Sequence, residues 1–566
     1  MSVRRFDPPR IATHRKSKLM TKPVRGADIV AQSLSRLGCG HVFTLSGNHI
    51  MSIFDAAIEA ELDLVHVRHE AAAVHMADAW GRLTGEPGIA LVTGGPGHAN
   101  AVGALFTARG AESPMVLLSG HAATWELGRG GFQEIRQAEM AAPVAKASWT
   151  ASAAATLGDD IGKAIMIAKS GRPGPVHVSL PSDLLEERVE SNAIVWPDAT
   201  RTAATPPALP VPVADAVLAA IAAAERPIIL VGPQLSSLGG RALLSSLETA
   251  TNAPAVILES PRGLADATLG ALSDLLRRFD LIVLLGKALD FTTRWASGPA
   301  FDPGVRVIAI DPEAALIERA ANEKGKQLLL GCIADVPNAA RTLITRAAAG
   351  KMRAPDWLIE ARAALDHRPA AWASVAAKSA GRLHPAEVFR VLRPYIERDP
   401  DTVLICDGGE FAQWGQSMLP VRRRLVNGVA GAIGASLSFA LSARLLEPRA
   451  PIFAVLGDGT IGFHLAELET AVRRRLPFVA VLGNDARWNA ESQIQLRDYG
   501  RARMHGCELL PCRYDQVVAA IGGHGELVER PAELPGAIER ALASGKPACI
   551  NIMVESIAAP IVQREG

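Results

Sequence analysis

Net charge is nearly absent from this sequence. The 59 Lys and Arg are matched by 58 Asp and Glu, and a formal charge of +1 over 566 residues excludes the basic field that holds nucleic acid or an anionic membrane surface. Cysteine is scarce. Cys39, Cys332, Cys406, Cys507, Cys512 and Cys549 are scattered without metal-type spacing, which sets aside a zinc site and fits reduced thiols in a cytoplasmic protein. The basic stretch 1–24 has Pro8, Pro9 and Pro23 but no apolar core, so it reads as neither a secretory signal nor a membrane anchor. A disordered extension is expected there, with a basic targeting peptide as the alternative. The middle of the chain has no GxGxxG, so no dinucleotide fingerprint supports FAD or NAD.

What is present is a globular composition, 49% hydrophobic and 21% charged, in a chain long enough for about three to four domains. Its most informative stretch runs from Ile452 to Trp488. An apolar run, Ile452 to Leu456, ends in Gly457-Asp458-Gly459, and a second, Phe478 to Leu482, ends in Gly483-Asn484-Asp485. Between them Phe463, Leu468, Ala471 and Val472 recur near helical spacing, with Arg473 to Arg475 at the negative end of that helix. A helical crossover makes the two strands parallel, so both acidic loops emerge at one carboxyl edge of a sheet, where open α/β sheets bind ligands. Asp458 and Asp485 would then offer oxygens to a hard cation such as Mg2+, with a phosphate group and backbone carbonyls completing the octahedron. Gly457 and Gly459 let the backbone approach a phosphate, and a helix expected to begin after Thr460 adds unpaired N–H groups. The bland alternative is a pair of ordinary Gly/Asp turns.

GDG, then 24 residues from Thr460 to Gly483, then Asn484-Asp485 resembles the thiamin diphosphate (ThDP) signature of the acetolactate synthase, benzaldehyde lyase and pyruvate decarboxylase superfamily. The resemblance implies an α/β fold of three parallel-sheet domains: pyrimidine-binding, central and diphosphate-binding. It implies metal ligation by Asp458, Asp485 and the backbone carbonyl of Arg487, with Asp485 standing where the family usually has Asn. Arg68-His69-Glu70, followed by a helix with His75, resembles the family's glutamate segment and gives Glu70 the cofactor-activating role. A carboxyl group hydrogen-bonded to the aminopyrimidine favours the imino tautomer that removes the thiazolium proton. Read locally, Glu70 is also an ordinary first-turn helix glutamate.

Further positions follow from the same resemblance. Gly408 and Glu410, in Asp407-Gly408-Gly409-Glu410, lie against the cofactor's pyrimidine in the family, and Ile433, in Gly431-Ala432-Ile433-Gly434, matches the apolar wedge that bends it. A stiff β-branched side chain suits that job, although a core isoleucine would look the same. Gln133, in an acetolactate synthase-like Phe132-Gln133-Glu134, is a substrate-side candidate, or else a surface glutamine. His49 falls where benzaldehyde lyase has an active-site histidine and is a candidate proton carrier, or a plain loop residue.

Glu491, six residues past Asp485, matches a catalytic glutamate of pyruvate decarboxylases and of a bacterial branch of 2-hydroxyacyl-CoA lyases, or else is a solvated helix glutamate. A carboxyl group there favours proton-transfer chemistry: decarboxylation, or cleavage and formation of an acyloin bond. The expected domains are 25–190, 214–345 and 383–566, with a linker at 191–213 and a helical connection at 346–382. The central domain has shortened counterparts of the FAD-binding segments, which argues against FAD. The expected protein is a ThDP- and Mg2+-dependent lyase, carboligase or decarboxylase acting on a small 2-keto acid, acyloin or 2-hydroxyacyl substrate. It would be a homodimer or homotetramer with active sites between subunits. An acetolactate synthase catalytic subunit and a non-catalytic scaffold are the alternatives.

Overall fold

The structure, a computed structural model, describes residues 23–198, 206–347 and 356–564. The extension expected at 1–24 thus lies outside the described residues apart from Pro23 and Val24, as do parts of the linker at 191–213 and of the connection at 346–382.

Nineteen strands carry the fold among the described residues. In the first unit they are β1 Val24–Arg25, β2 His41–Thr44, β3 Asp63–His66, β4 Gly88–Val92, β5 Met115–His121, β6 Ala147–Thr150, β7 Pro175–Pro181 and β8 Arg188–Val189. The central unit has β9 Pro227–Val231, β10 Ala255–Ile257, β11 Leu281–Leu285, β12 Arg306–Asp311 and β13 Leu328–Ile333. The third has β14 Val403–Cys406, β15 Arg423–Val426, β16 Ile452–Gly457, β17 Val479–Asn484, β18 His524–Val528 and β19 Ala548–Met553. β1 and β8 form a short antiparallel ribbon; the three main sheets are wholly parallel. Parallel sheets are covered on both faces, which is why β4, β9 and β11 are buried along their whole length and read as unbroken apolar runs.

The first sheet runs β3-β2-β4-β5-β7-β6 and the third β15-β14-β16-β17-β19-β18. Counted within each unit, these are the same order. The central sheet, β10-β9-β11-β12-β13, lacks the last reversal. Its edge strand β13 escapes the apolar pattern because its residues alternate between half-buried and exposed. The helix after β16 starts at Asp458 rather than after Thr460. Thr460 Oγ1 accepts from the Gly457 N–H at 3.1 Å and donates back to the Gly457 carbonyl at 3.0 Å, which fixes the first turn three residues earlier.

One hydrophobic core belongs to both outer units. Helix Glu70–Thr84 of the first, with Pro96–Gly110 packed beside it, lies on Ser436–Leu446 of the third, and small residues (Ala72, Ala73, Ala77, Ala440, Ala443) fill the junction. Polar contacts pin its margins. Arg82, held by buried Asp78 at 2.6 Å, donates to the Val426 carbonyl at 2.7 Å, and the Arg68 N–H donates to Glu467 Oε1 at 2.9 Å. Among the described residues no helix is long and apolar enough to cross a membrane.

Candidate active site

Four strand ends of the third sheet converge on one cavity. Gly408 and Glu410 follow β14, Gly457 to Thr460 end and follow β16, Asp485 to Glu491 follow β17, and Glu555 and Ile557 follow β19. The Asp458 and Asp485 carboxyl groups approach each other there. Burial pushes both well above the usual carboxylate range, and the charge of Asp458 raises Asp485 further. Asp458 is 2% exposed and its Oδ2 has no partner. The loop after β17 is rigidly built: Asn484 Nδ2 donates to the Cys512 carbonyl at 3.0 Å and to Asn551 Oδ1 at 3.1 Å, while Ala486 takes a left-handed φ of 59°. Gly459 is required by close approach, since a Cβ there would meet the Trp488 ring at 2.7 Å.

Ile433 packs on Gly408, where an added Cβ would lie 2.4 Å from Ile433 Cγ2. Glu410 is 9% exposed; its Oε2 accepts from the Ala559 N–H and faces Arg262 of the central unit at 3.5 Å. Burial raises the Glu410 carboxyl, Arg262 and Ala559 oppose the shift, and Glu491 across the cavity adds to it. Glu491 stands in the first turn of helix Asn489–Asp498.

The corresponding edge of the first sheet gathers the other three candidates. Glu70 opens its helix after His69, whose Nδ1 accepts from the Ala71 N–H. It is 9% exposed, and its Oε2 accepts from Asn100 Nδ2 at 3.0 Å. His49 Nδ1 bonds Thr93 Oγ1 at 3.1 Å and its ring stacks on Phe132; burial lowers its pKa. Gln133 holds an unusual positive φ of 57° with its backbone against Gly95. Within one chain these three do not line the cavity that holds Asp458 and Asp485.

Comparison with known proteins adds to this geometry. The thiamine pyrophosphate enzyme N-terminal TPP-binding domain matches residues 24–140, and the C-terminal TPP-binding domain matches 407–552. A probable acetolactate synthase of Mycobacterium bovis is 32% identical over 545 residues, covering 94% of this chain and 96% of its own. The chain belongs to the thiamine pyrophosphate enzyme family. Relatives named 2-hydroxyacyl-CoA lyase 2 are 29% identical in Homo sapiens, over 94% of this chain and 90% of theirs, and 31% in Xenopus laevis, over 88% and 85%. The protein is thus a ThDP-dependent carboligase or lyase.

The cavity fits the diphosphate end of ThDP. It holds a buried, unpartnered carboxylate oxygen, a second carboxylate in contact with it, and glycine-lined backbone on either side. Among the described residues no three His, Cys, Asp or Glu side chains form a metal cage, so a cation between Asp458 and Asp485 would draw its remaining oxygens from the backbone and the diphosphate.

Several residues of the two ThDP-enzyme edges carry no sequence signal. Asn100 holds Glu70 from thirty positions away. Buried Gln137 accepts from the Gly95 N–H at 2.8 Å and donates to the Gly120 carbonyl and Ser179, tying the loops around Gln133 and His49 together. Arg262 arrives from another unit.

The carboxyl edge of the central sheet is already filled. Arg172 of the first unit donates to the Gly286 carbonyl at 2.8 Å, to Asp311 at the end of β12 at 2.6 Å, and to Glu112. A cavity of about 190 Å³ between the three units is lined by Arg82, Arg423 and Arg424, each paired with a carboxylate: Asp78, Glu447 and Glu259.

Proposed function

We propose that this protein is a Mg2+-assisted ThDP enzyme that cleaves or forms the carbon–carbon bond beside a carbonyl in 2-hydroxyacyl or acyloin substrates, in the manner of 2-hydroxyacyl-CoA lyases or benzaldehyde lyase. The observation that carries the reading is Glu491 on the wall of the cavity that contains Asp458 and Asp485. A carboxyl group in that position can deliver or remove a proton as the bond breaks, which serves lyase chemistry.

Bound ThDP supplies the electron sink for the acyl fragment. Asp458, Asp485 and the Arg487 carbonyl hold the cation; Gly457, Gly459 and Thr460 border the diphosphate; Gly408, Glu410 and Ile433 shape the ring-binding wall. Glu70 holds a proton at the aminopyrimidine, and Asn100 orients its carboxylate. His49 and Gln133 face the substrate. No FAD is needed, and the Arg172 cluster that fills the central sheet edge supports a structural role for that unit.

Because Glu70 and Asp458 sit on separate edges of one chain, a complete site takes the first unit of one subunit and the third of another. Exposed apolar side chains support such a homodimer or a tetramer built from it: Trp125 and Phe132 flank the first edge, and Phe463, Tyr499 and Leu510 the third. An acetolactate synthase is the second reading, favoured by the Mycobacterium bovis relative.

Parallel incubations with a 2-hydroxyacyl-CoA, benzoin and pyruvate, each with ThDP and Mg2+, distinguish these readings. Aldehyde release from one of the first two is expected. Acetolactate from pyruvate alone would replace the lyase reading, and turnover undiminished in Glu70→Gln would remove the mechanism altogether.

A further inference from the structure

A cation held by two carboxylates beside a diphosphate leaves surplus negative charge in a buried place. Each of Asp458 and Asp485 adds one charge, and like charges in a partly desolvated site repel strongly enough to limit binding. Something nearby must offset the second carboxylate.

Next to the cofactor cavity lies another, of about 550 Å³, that shares Asp485, Arg487, Glu555 and Ile557 with it. Apart from Ser556, its remaining wall comes from the segment entering the third unit, including Lys378 and Arg382. Arg382 is fixed: its Nη1 donates to the Val554 carbonyl at 2.6 Å, and the Val554 N–H donates to the Asn484 carbonyl at 3.0 Å. The guanidinium is therefore anchored one ladder step from Asp485, on the wall of the cavity that Asp485 also lines. The Lys378 side chain is exposed on the same wall. Arg487 and Glu555, also on this wall, have partners of their own. Arg487 turns its guanidinium toward Glu508 at 3.8 Å, and Glu555 Oε1 accepts the N–H groups of Lys378 and Ser379, both at 2.8 Å.

We infer that Arg382, assisted by Lys378, is the electrostatic counterweight to Asp485, and that this chain tolerates a second carboxylate at its metal–diphosphate site because that cationic wall was built behind it. The inference rests on the proposed roles of Asp458 and Asp485. Arg382 and Lys378 are positioning residues on this account: they set how tightly Mg2+ and ThDP are held and take no part in the bond-making step.

A double-mutant cycle read by calorimetric titration of ThDP at saturating Mg2+ tests it, with thermal melting as the folding control. The parent protein comes first: absence of Mg2+-dependent ThDP binding there would fail the functional reading itself, separately from this inference. Given parent binding, Arg382→Gln is expected to weaken ThDP by about tenfold when Asp485 is present and by no more than about threefold in Asp485→Asn, with Arg382→Lys near the parent. Equal losses in the two backgrounds, or no loss in either, would overturn the counterweight. Should Arg382→Gln lose its native melting transition, Lys378→Gln decides the matter, because that side chain holds no hydrogen bond among the described residues. Its loss, roughly threefold in the parent background, should fall by at least half in the Asp485→Asn background, and an unchanged ratio would sink the idea.

Discussion

The outer units are built on one strand order, yet their carboxyl edges have opposite characters. The first edge has a single buried carboxylate, Glu70, held by an amide and surrounded by His49, Thr93 and Gln137. The third brings two aspartates into contact and faces them with Glu410 and Glu491 across a glycine-lined cavity. Topology is common to both, so the chemistry resides in the loops that follow equivalent strands. One edge suits managing a proton on a ring, the other holding a metal and phosphates.

That division can be broken experimentally. The largest effect is expected from Glu70→Gln: turnover should fall by roughly 10²- to 10⁴-fold while calorimetric ThDP affinity stays near the parent value. Lost affinity would mean that the first edge binds rather than activates. Asp458→Asn should do the reverse, weakening Mg2+-dependent ThDP binding by about 100-fold with turnover partly restored at high cofactor and metal. Glu491→Gln is expected to lower kcat by about tenfold or more without moving ThDP affinity, which places a proton-transfer task on the third edge as well.

Two smaller effects probe the junction between the units. Ala440→Leu, at a fully buried position in the shared core, should cost about 1–3 kcal/mol by overpacking, read as a lower Cm in urea for both outer units together. His75 and His464 meet at this junction with ring centroids 5.5 Å apart, and burial pushes both down to about 3. Their folded pKa values lie below the unfolded value near 6.5, so the stability they support is complete above about pH 6.5. It is lost as pH falls toward 3, at about 1.4 kcal/mol per pH unit for each histidine. His464→Asn should remove one histidine's share of that slope; an unchanged slope would show that the pair does not govern acid sensitivity.

Much of this architecture was legible in the sequence because it rests on local chemistry. Apolar runs ending in glycine and acidic turns located β16 and β17, and a glutamate after an apolar run located the start of the helix at Glu70. Partnerships across long separations were not legible. Nothing near Asn100 announces that it holds Glu70, and Arg172 reaches Asp311 across 139 positions. β13 is illegible for a different reason: an edge strand with every second residue exposed lacks the continuous apolarity of its neighbours. The helix start at Asp458 was misplaced because a reciprocal threonine–glycine bond, rather than composition, decides it.

The alanine-rich junction also bears on synthesis. Helix Glu70–Thr84 emerges from the ribosome early, whereas the helix that covers it, Ser436–Leu446, is translated more than three hundred residues later. At ordinary elongation rates of about 5–20 residues per second, that bare apolar face waits for tens of seconds. The nascent amino-terminal third should therefore be a client of holding chaperones, and its release should coincide with translation of the closing helix.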